Sequence, residues 1–237
     1  MSLLPMLDLR NWTPRPRPSN RIAHGQHVSL APFDPAVHGE QLWHALGGAS
    51  ANGRIRYFGW PPVKSASEFT AQLLRCIEAG EWACCVFTPK ASGRAEGMAS
   101  YMRTDTQHGT TEIGCIGHGT RFAGSTAATE AHYLMAKRVF DELGYRRYEW
   151  KLDDRNAPSH RAARRFGFTF EGVFRQHRVV PSGNRDTAWY AMLDSEWPVA
   201  SEALRKWLAP TNFDAAGKQR QRLEDLREPY SPSPTTT

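Results

Sequence analysis

The sequence predicts a mixed α/β domain, a single and mostly antiparallel sheet with helices on both of its faces. Three observations predict it. Strand-like alternation and helix-like spacing interleave along the chain instead of occupying separate halves. Three strand patterns, at 82–89, 96–104 and 110–118, follow one another with only turn-length gaps, which suits antiparallel neighbours. The strongest helical pattern, 127–144, then separates the third of these from a further strand at 147–153.

Each element has a local reason. The opening segment contains "PRPRPSNRIAHG", whose Pro and Arg content predicts an extended arm over 1–26. "HVSLAPF" (27–33) alternates as a strand, and "PAVHGEQLWHALGG" (35–48) reads as a short helix closed by glycines. A second helix, 65–80, opens with Ser65 and has Glu68 three positions on, the spacing of a capping box, and Gly80 stops it. In 127–144, Ala131, Leu134, Met135, Val139 and Leu143 share one face before Gly144 ends the run. "RYEWKLD" (147–153) reads as a strand, "APSHRAARRFG" (157–167) as a short helix, and 168–180 and 185–194 as two more strands. A last amphipathic helix after "SEWP" belongs to an extension over 196–226 that can pack back on the domain or on a second subunit, as a monomer or a homodimer. The segment 227–237 has the composition of disorder.

The 237 residues suffice for one generous domain with appended ends and a core that needs no metal or disulfide staple. A net charge of +6 permits an anionic ligand without demanding nucleic acid, because the basic residues are scattered. Cys76, Cys84, Cys85 and Cys115 form no Cys-x-x-Cys pair, and two are adjacent in an apolar run, so they read as small buried hydrophobes. That usage suits the reducing cytoplasm. "MSLLPMLDLRNW" lacks the apolar run and cleavage pattern of a signal peptide, and no stretch approaches the roughly 18 apolar residues of a membrane span.

The chemistry concentrates around "RFAGSTAATE" (121–130). A strand ending near His118, a loop and a helix starting near Thr126 aim free backbone N–H groups at one point, where the helix dipole favours a phosphate. Gly124 lets the backbone come close, and Arg121 can add charge-assisted bonds. The plainer reading is a helix cap by Ser125 or Thr126. Neither a Walker Gly-Lys-Ser/Thr nor a Gly-x-Gly-x-x-Gly fingerprint is present.

Wider motifs bear on that choice. Arg121, Phe122, Ala123, Gly124, Ser125 and Thr126 together resemble the Arg/Gln-x-x-Gly-x-Gly/Ala signature of the GNAT superfamily of acetyl-CoA-dependent acyltransferases. "RNAPSHRAARRFGFTFEGVFR" resembles that family's Asn-x-x-Ser … Gly-Phe block through Asn156, Ser159, Gly167 and Phe168. "TEIGCIGHG" is similar to its fourth strand, which ends in a splayed bulge. The combination spans about 27–195 and is most similar to the branch containing the ribosomal-protein N-terminal acetyltransferases. Thr126 departs from the signature's final Gly/Ala.

The resemblance implies a GNAT fold and transfer of acetyl from acetyl-CoA to a primary amine, with no metal. It implies that 121–126 cradle the coenzyme's pyrophosphate and that pantetheine pairs with the backbone around Ile116, Gly117 and His118. Asn156 would bind the pantetheine arm, and Ser159 would sit near the thioester sulfur. Such pairing is physically reasonable, since an amide chain can complete an open strand edge.

Amide formation needs a neutral amine, a proton acceptor, an oxyanion donor and a partner for the leaving thiolate. Neutrality comes more readily to an α-amino group (pKa about 7.7–8) than to a lysine (about 10.4). The bulge near Ile116 is the candidate oxyanion donor. Glu112 is the first candidate base and His118 the second; Glu112 also reads as a charged residue on a half-exposed strand, and His118 as a polar strand end. Ser159 is the candidate thiolate partner, because Ala163 stands where many relatives carry a tyrosine. Tyr57, Phe58 and Trp60, in the loop between the first two helices, are candidate acceptor-binding residues, though core packing also explains aromatics there. Tyr101, Tyr190 and His177 are further candidates for the cleft, and Arg161, Arg164 and Arg165 for the phosphates. The acceptor can be a protein N-terminus or a small amine; the alternatives are a module that binds coenzyme A or another phosphate ligand without turnover and, on charge alone, a nucleic-acid binder.

Overall fold

Alternation in "WACCVF" sends Cys84 and Cys85 to opposite faces of one sheet, and each face has its own helices. The computed structural model describes residues 8–227. All but one residue of the segment expected to be disordered, 228–237, and the first seven residues of the arm lie outside the described residues.

The sheet has eight strands: β1 (Ala23–His24), β2 (Val28–Pro32), β3 (Ala83–Pro89), β4 (Gly97–Asp105), β5 (Thr110–His118), β6 (Arg147–Asp153), β7 (Thr169–Val180) and β8 (Gly183–Leu193). Their order is β1-β2-β3-β4-β5-β6-β8-β7. Every pair is antiparallel except β5 with β6. The two-residue β1, absent from the sequence expectation, makes the anticipated fourth strand β5.

Helices α1 (Pro35–Ala45), α2 (Ala51–Ile55) and α3 (Ala66–Gly80) cover one face, burying Leu42, Ile55, Phe69 and Leu73 against Cys84, Val86 and Met98. α2 and a following 3-10 turn, Arg56–Phe58, replace the loop expected between the first two helices. Ser65 caps α3 by accepting from Glu68 N at 3.2 Å. The Glu68 carboxylate accepts from Lys64 N, one residue before the partner an ideal capping box would use.

On the other face lie α4 (Thr126–Lys137) and α6 (Trp197–Leu208), with the inner side of α5 (Ala157–Phe166). Ala131, Met135, Val139, Trp150, Phe166 and Trp197 are among the buried residues of this larger core. The helix expected over 127–144 finishes in a π-helical turn, Arg138–Glu142. The C-terminal extension packs back on the same chain: Trp207 Nε1 donates to Gln219 at 2.7 Å, and Leu223 is buried. No helix among the described residues is long and apolar enough to cross a membrane.

Candidate active site

β5 and β6 are neighbours only from Thr110–Arg147 to Glu112–Glu149. Beyond Glu112 they diverge, leaving the edge of β5 that faces β6 without a partner strand. A bulge accompanies the divergence. Ser100 pairs with Gly114 but Met98 with Gly117, so β5 carries one extra residue, and Cys115 takes a left-handed φ of 50°. Side-chain parity reverses there: Ile113 before the bulge and Ile116 after it both pack into the α4-side core.

A cleft of about 360 Å³ fills the opening. Ile113 to Ile116 line one wall and Trp150 to Asp153 the other, with Tyr57, Phe58 and Trp60 also in the lining, Phe58 and Trp60 packed against the α1–α3 core, and Asn156 and Ser159 at the start of α5. Pro158 and the Asn156 cap start α5, whose Asn156 Oδ1 accepts from Ser159 N at 3.3 Å. Ser159 Oγ accepts from Trp150 Nε1 at 2.9 Å, which leaves its own O–H free to donate. Ala163 is wholly buried in the core, so the position that often carries a tyrosine does not line this cleft.

Glu112 lies in the cleft lining, 2% exposed. Its Oε1 accepts from Arg103 at 2.6 Å, and Lys151 Nζ lies 3.2 Å from Oε2 without forming a well-aligned hydrogen bond. Burial raises the Glu112 pKa above the ordinary carboxylate value, with Arg103 and Lys151 acting against it. Lys151 is shared with Glu149 at 2.7 Å and lies over the Trp189 ring. Asp153 holds Arg155 through both carboxylate oxygens, and the Arg155 carbonyl accepts from the Tyr57 hydroxyl at 3.1 Å.

The loop before α4 is both a cap and a possible anion seat. Ser125 Oγ accepts from Ala128 N at 3.0 Å. Phe122, Ala123 and Ser125 spend their N–H groups on carbonyls inside the loop, whereas those of Arg121, Gly124, Thr126 and Ala127 meet no acceptor among the described residues. Gly124 has φ +77°, and a Cβ there would meet nothing within 4 Å. Backbone conformation, not crowding, therefore requires this glycine. Arg54, which lines the cleft, donates to Thr120 Oγ1 at 2.6 Å and ties the loop to it.

Several expected positions are corrected. The His118 ring is turned inward against Phe87, Phe122 and His132, and burial lowers its pKa to about 4, so the ring is not at the cleft to act as a base. The parity reversal at Cys115 is the reason; only the His118 backbone remains at the strand end. Phe122 is 1% exposed and contributes its side chain to the core. Tyr101 and Tyr190 are buried too, bonded to Met135 O and His160 Nδ1. Arg165 donates to Thr129 and stacks on Trp207, while Arg161 and Arg164 are exposed. Arg121 lines a separate recess with His44 and Arg94, and His177 lines one adjoining the cleft.

The family model described as an acetyltransferase (GNAT) domain matches residues 28–169. The chain belongs to the GNAT acetyltransferase family. It is accordingly an acyltransferase, and the reading as a binding module without turnover is set aside. A GCN5-related N-acetyltransferase from Brucella melitensis is 44% identical, with a TM-score of 0.87, over 92% of this chain and 99% of that one. A GNAT-family protein from Chromobacterium violaceum is 36% identical, with a TM-score of 0.73, over 84% and 98%. The microcin C7 self-immunity acetyltransferase MccE, solved with acetyl-CoA and AMP, is 20% identical over 71% and 93%, TM-score 0.59, a likeness of fold alone. No curated protein matches the chain in sequence.

Sequence reasoning about this GNAT site missed Arg54, Arg103, Lys151, Asp153, Arg178 and Arg185, all in the cleft lining. One signal was available. In "RYEWKLD" every second residue is charged while Tyr148, Trp150 and Leu152 are buried, the mark of a strand with one charged face.

Proposed function

We propose that this chain transfers the acetyl group of acetyl-CoA to a primary amine, a protein N-terminus or a small molecule, by direct attack in the cleft between β5 and β6. The observation that carries this reading is the open, bulged edge of β5, which leads toward a helix start with uncommitted N–H groups. Pantetheine amides would pair with that edge, the pyrophosphate would lie over Gly124, Thr126 and Ala127, and the Asn156 amide N–H would bind the arm. That the fold can hold acetyl-CoA is supported by MccE.

The amine lone pair attacks the thioester carbon, forming C–N; the C–S bond breaks and coenzyme A leaves as thiolate. Glu112 takes the proton lost by nitrogen, its basicity raised by burial. The free O–H of Ser159 steadies the thiolate until solvent protonates it, and an N–H at the Cys115 bulge faces the oxyanion. The test is calorimetric titration with acetyl-CoA on the wild type and on Gly124→Asp. Micromolar binding that the charged variant loses supports the phosphate seat; no binding to folded wild type ends the proposal. Glu112→Gln should then lower kcat by about 10²–10⁴ with acetyl-CoA affinity intact; unchanged turnover removes Glu112 as the base.

A further inference from the structure

Beyond Glu112 the cleft continues into a recess of about 270 Å³. Arg103, Lys151, Arg178 and Arg185 line both spaces, and His177 and Trp189 close the recess. Strand register brings these groups together. Lys151 lies opposite Trp189, Asp153 opposite Thr187 and Arg178 opposite Arg185, so their side chains share one face of β6, β8 and β7. A bulge in β7 between Phe174 and Arg178, with Gln176 at φ 50°, sets that last pairing, and Gln176 N–H is held by Asp186 at 2.7 Å. A second bulge, between Met102 and Asp105, holds Arg103 at φ 48°. Non-glycine residues rarely adopt such angles inside a sheet without a compensating role.

The charges on this face do not balance. Glu112 is answered by Arg103 and Lys151, Lys151 also by Glu149, and Asp153 by Arg155. Arg178 and Arg185 have no carboxylate within ion-pair distance among the described residues. They stand directly opposite each other across an antiparallel ladder, where like charges are destabilising. Arg185 is half-buried, and its only side-chain bond among the described residues is to Thr187 Oγ1 at 3.3 Å. Burial lowers its pKa below the ordinary arginine value; Asp153 opposes the shift, and Arg178 and Arg103 add to it. His177 is also lowered, by desolvation and then by Arg178, Arg185, Lys151 and Arg103. Arg178 is exposed, so the pair presents two guanidiniums without a carboxylate partner, groups whose chemistry suits a planar or tetrahedral anion.

We propose that Arg178 and Arg185 form the acceptor-specificity subsite and select a small primary amine that also bears a carboxylate or a phosphate. The assignment rests on the acetyl-CoA reading above, in which the coenzyme occupies the Gly124 end and the acceptor enters past Glu112. Polyamines and aminoglycosides, both cationic beyond their reacting amine, are disfavoured by the same potential.

The test compares matched amines at saturating acetyl-CoA by release of the coenzyme thiol: phenylalanine against phenethylamine, phosphoethanolamine against ethanolamine, with spermidine and an acidic-tailed peptide alongside. The expected result is a kcat/KM at least about tenfold higher for an anionic member than for its neutral partner. The carboxylate and phosphate pairs separate the two anion sources. Arg185→Gln and Arg178→Gln should erase most of that preference through KM, with acetyl-CoA affinity unchanged in calorimetry. Preference for spermidine, the neutral amines or the peptide overturns the assignment, as does a preference that survives both substitutions. Failure of wild type to bind acetyl-CoA strikes the underlying reading instead.

Discussion

His118 and His132 meet Nε2 to Nε2 at 3.2 Å, enclosed by Phe87, Phe122, Trp150 and Phe166. Burial lowers both pKa values, that of His118 to about 4; for His132 the neighbouring His118 and Arg165 add to the effect. Both rings are therefore neutral when folded, whereas in the unfolded chain each titrates near 6.5. As pH falls below about 6.5 the unfolded state takes up protons that the folded state refuses, and stability is lost. The loss reaches up to about 1.4 kcal/mol per histidine for each pH unit until the folded pKa is passed. Melting temperature should thus drop between pH 7 and pH 5, and a His118→Phe/His132→Phe double variant should show a flatter profile over that range. An equally steep profile in the double variant would assign the acid sensitivity to other groups.

At the scale of elements, one carboxylate joins the first long strand to the central helix. Glu130 of α4 accepts from Gln26 N and His27 N at 2.6 Å each and from Val28 N at 3.0 Å. The turn into β2 thereby satisfies three N–H groups that its own backbone leaves open. Gly25 is required for close approach, since a Cβ would overlap the Glu130 carboxylate. Hydrogen bonds to a charged group contribute about 1.5–3 kcal/mol each, and water can replace only part of this set. Glu130→Ala should cost about 3 kcal/mol in urea denaturation, and Gly25→Ala should destabilise by displacing the same carboxylate. A change below about 0.5 kcal/mol for Glu130→Ala would mean that the turn holds without it.

For the whole molecule, the Pro/Arg-rich arm is a strap across the sheet end. Trp12 Nε1 donates to Gln107 O at 2.7 Å, Arg15 Nε to Gly144 O at 3.0 Å, and Pro16 O accepts from the Tyr145 hydroxyl at 3.1 Å. Asn20 adds a bond to Cys84 O at 3.1 Å. These contacts gather the β4–β5 turn and the end of the α4 segment, at the start of β5 and away from the cleft. A chain beginning at residue 21 should melt several degrees lower, yet bind acetyl-CoA as the full chain does. Loss of that binding in a folded shortened chain would show that the arm also shapes the site.

Sequence alone determined the kinds and order of the main elements, because periodicity, caps and stop signals are written over a few neighbouring residues. The helix starts at Ser65 and Ser125 and the strand pattern of 110–118 are local in this sense. So is the Arg121–Thr126 motif, from which the family was legible before any coordinate. Tertiary structure decided which side chains reach the cleft. A single extra residue at Cys115 reverses the parity of β5 and turns His118 inward, and alternation within the strand cannot reveal it. The basic recess is less legible still: Arg103, Lys151, Arg178 and Arg185 come from four strands, and only the ladder register, set by two bulges, makes them neighbours.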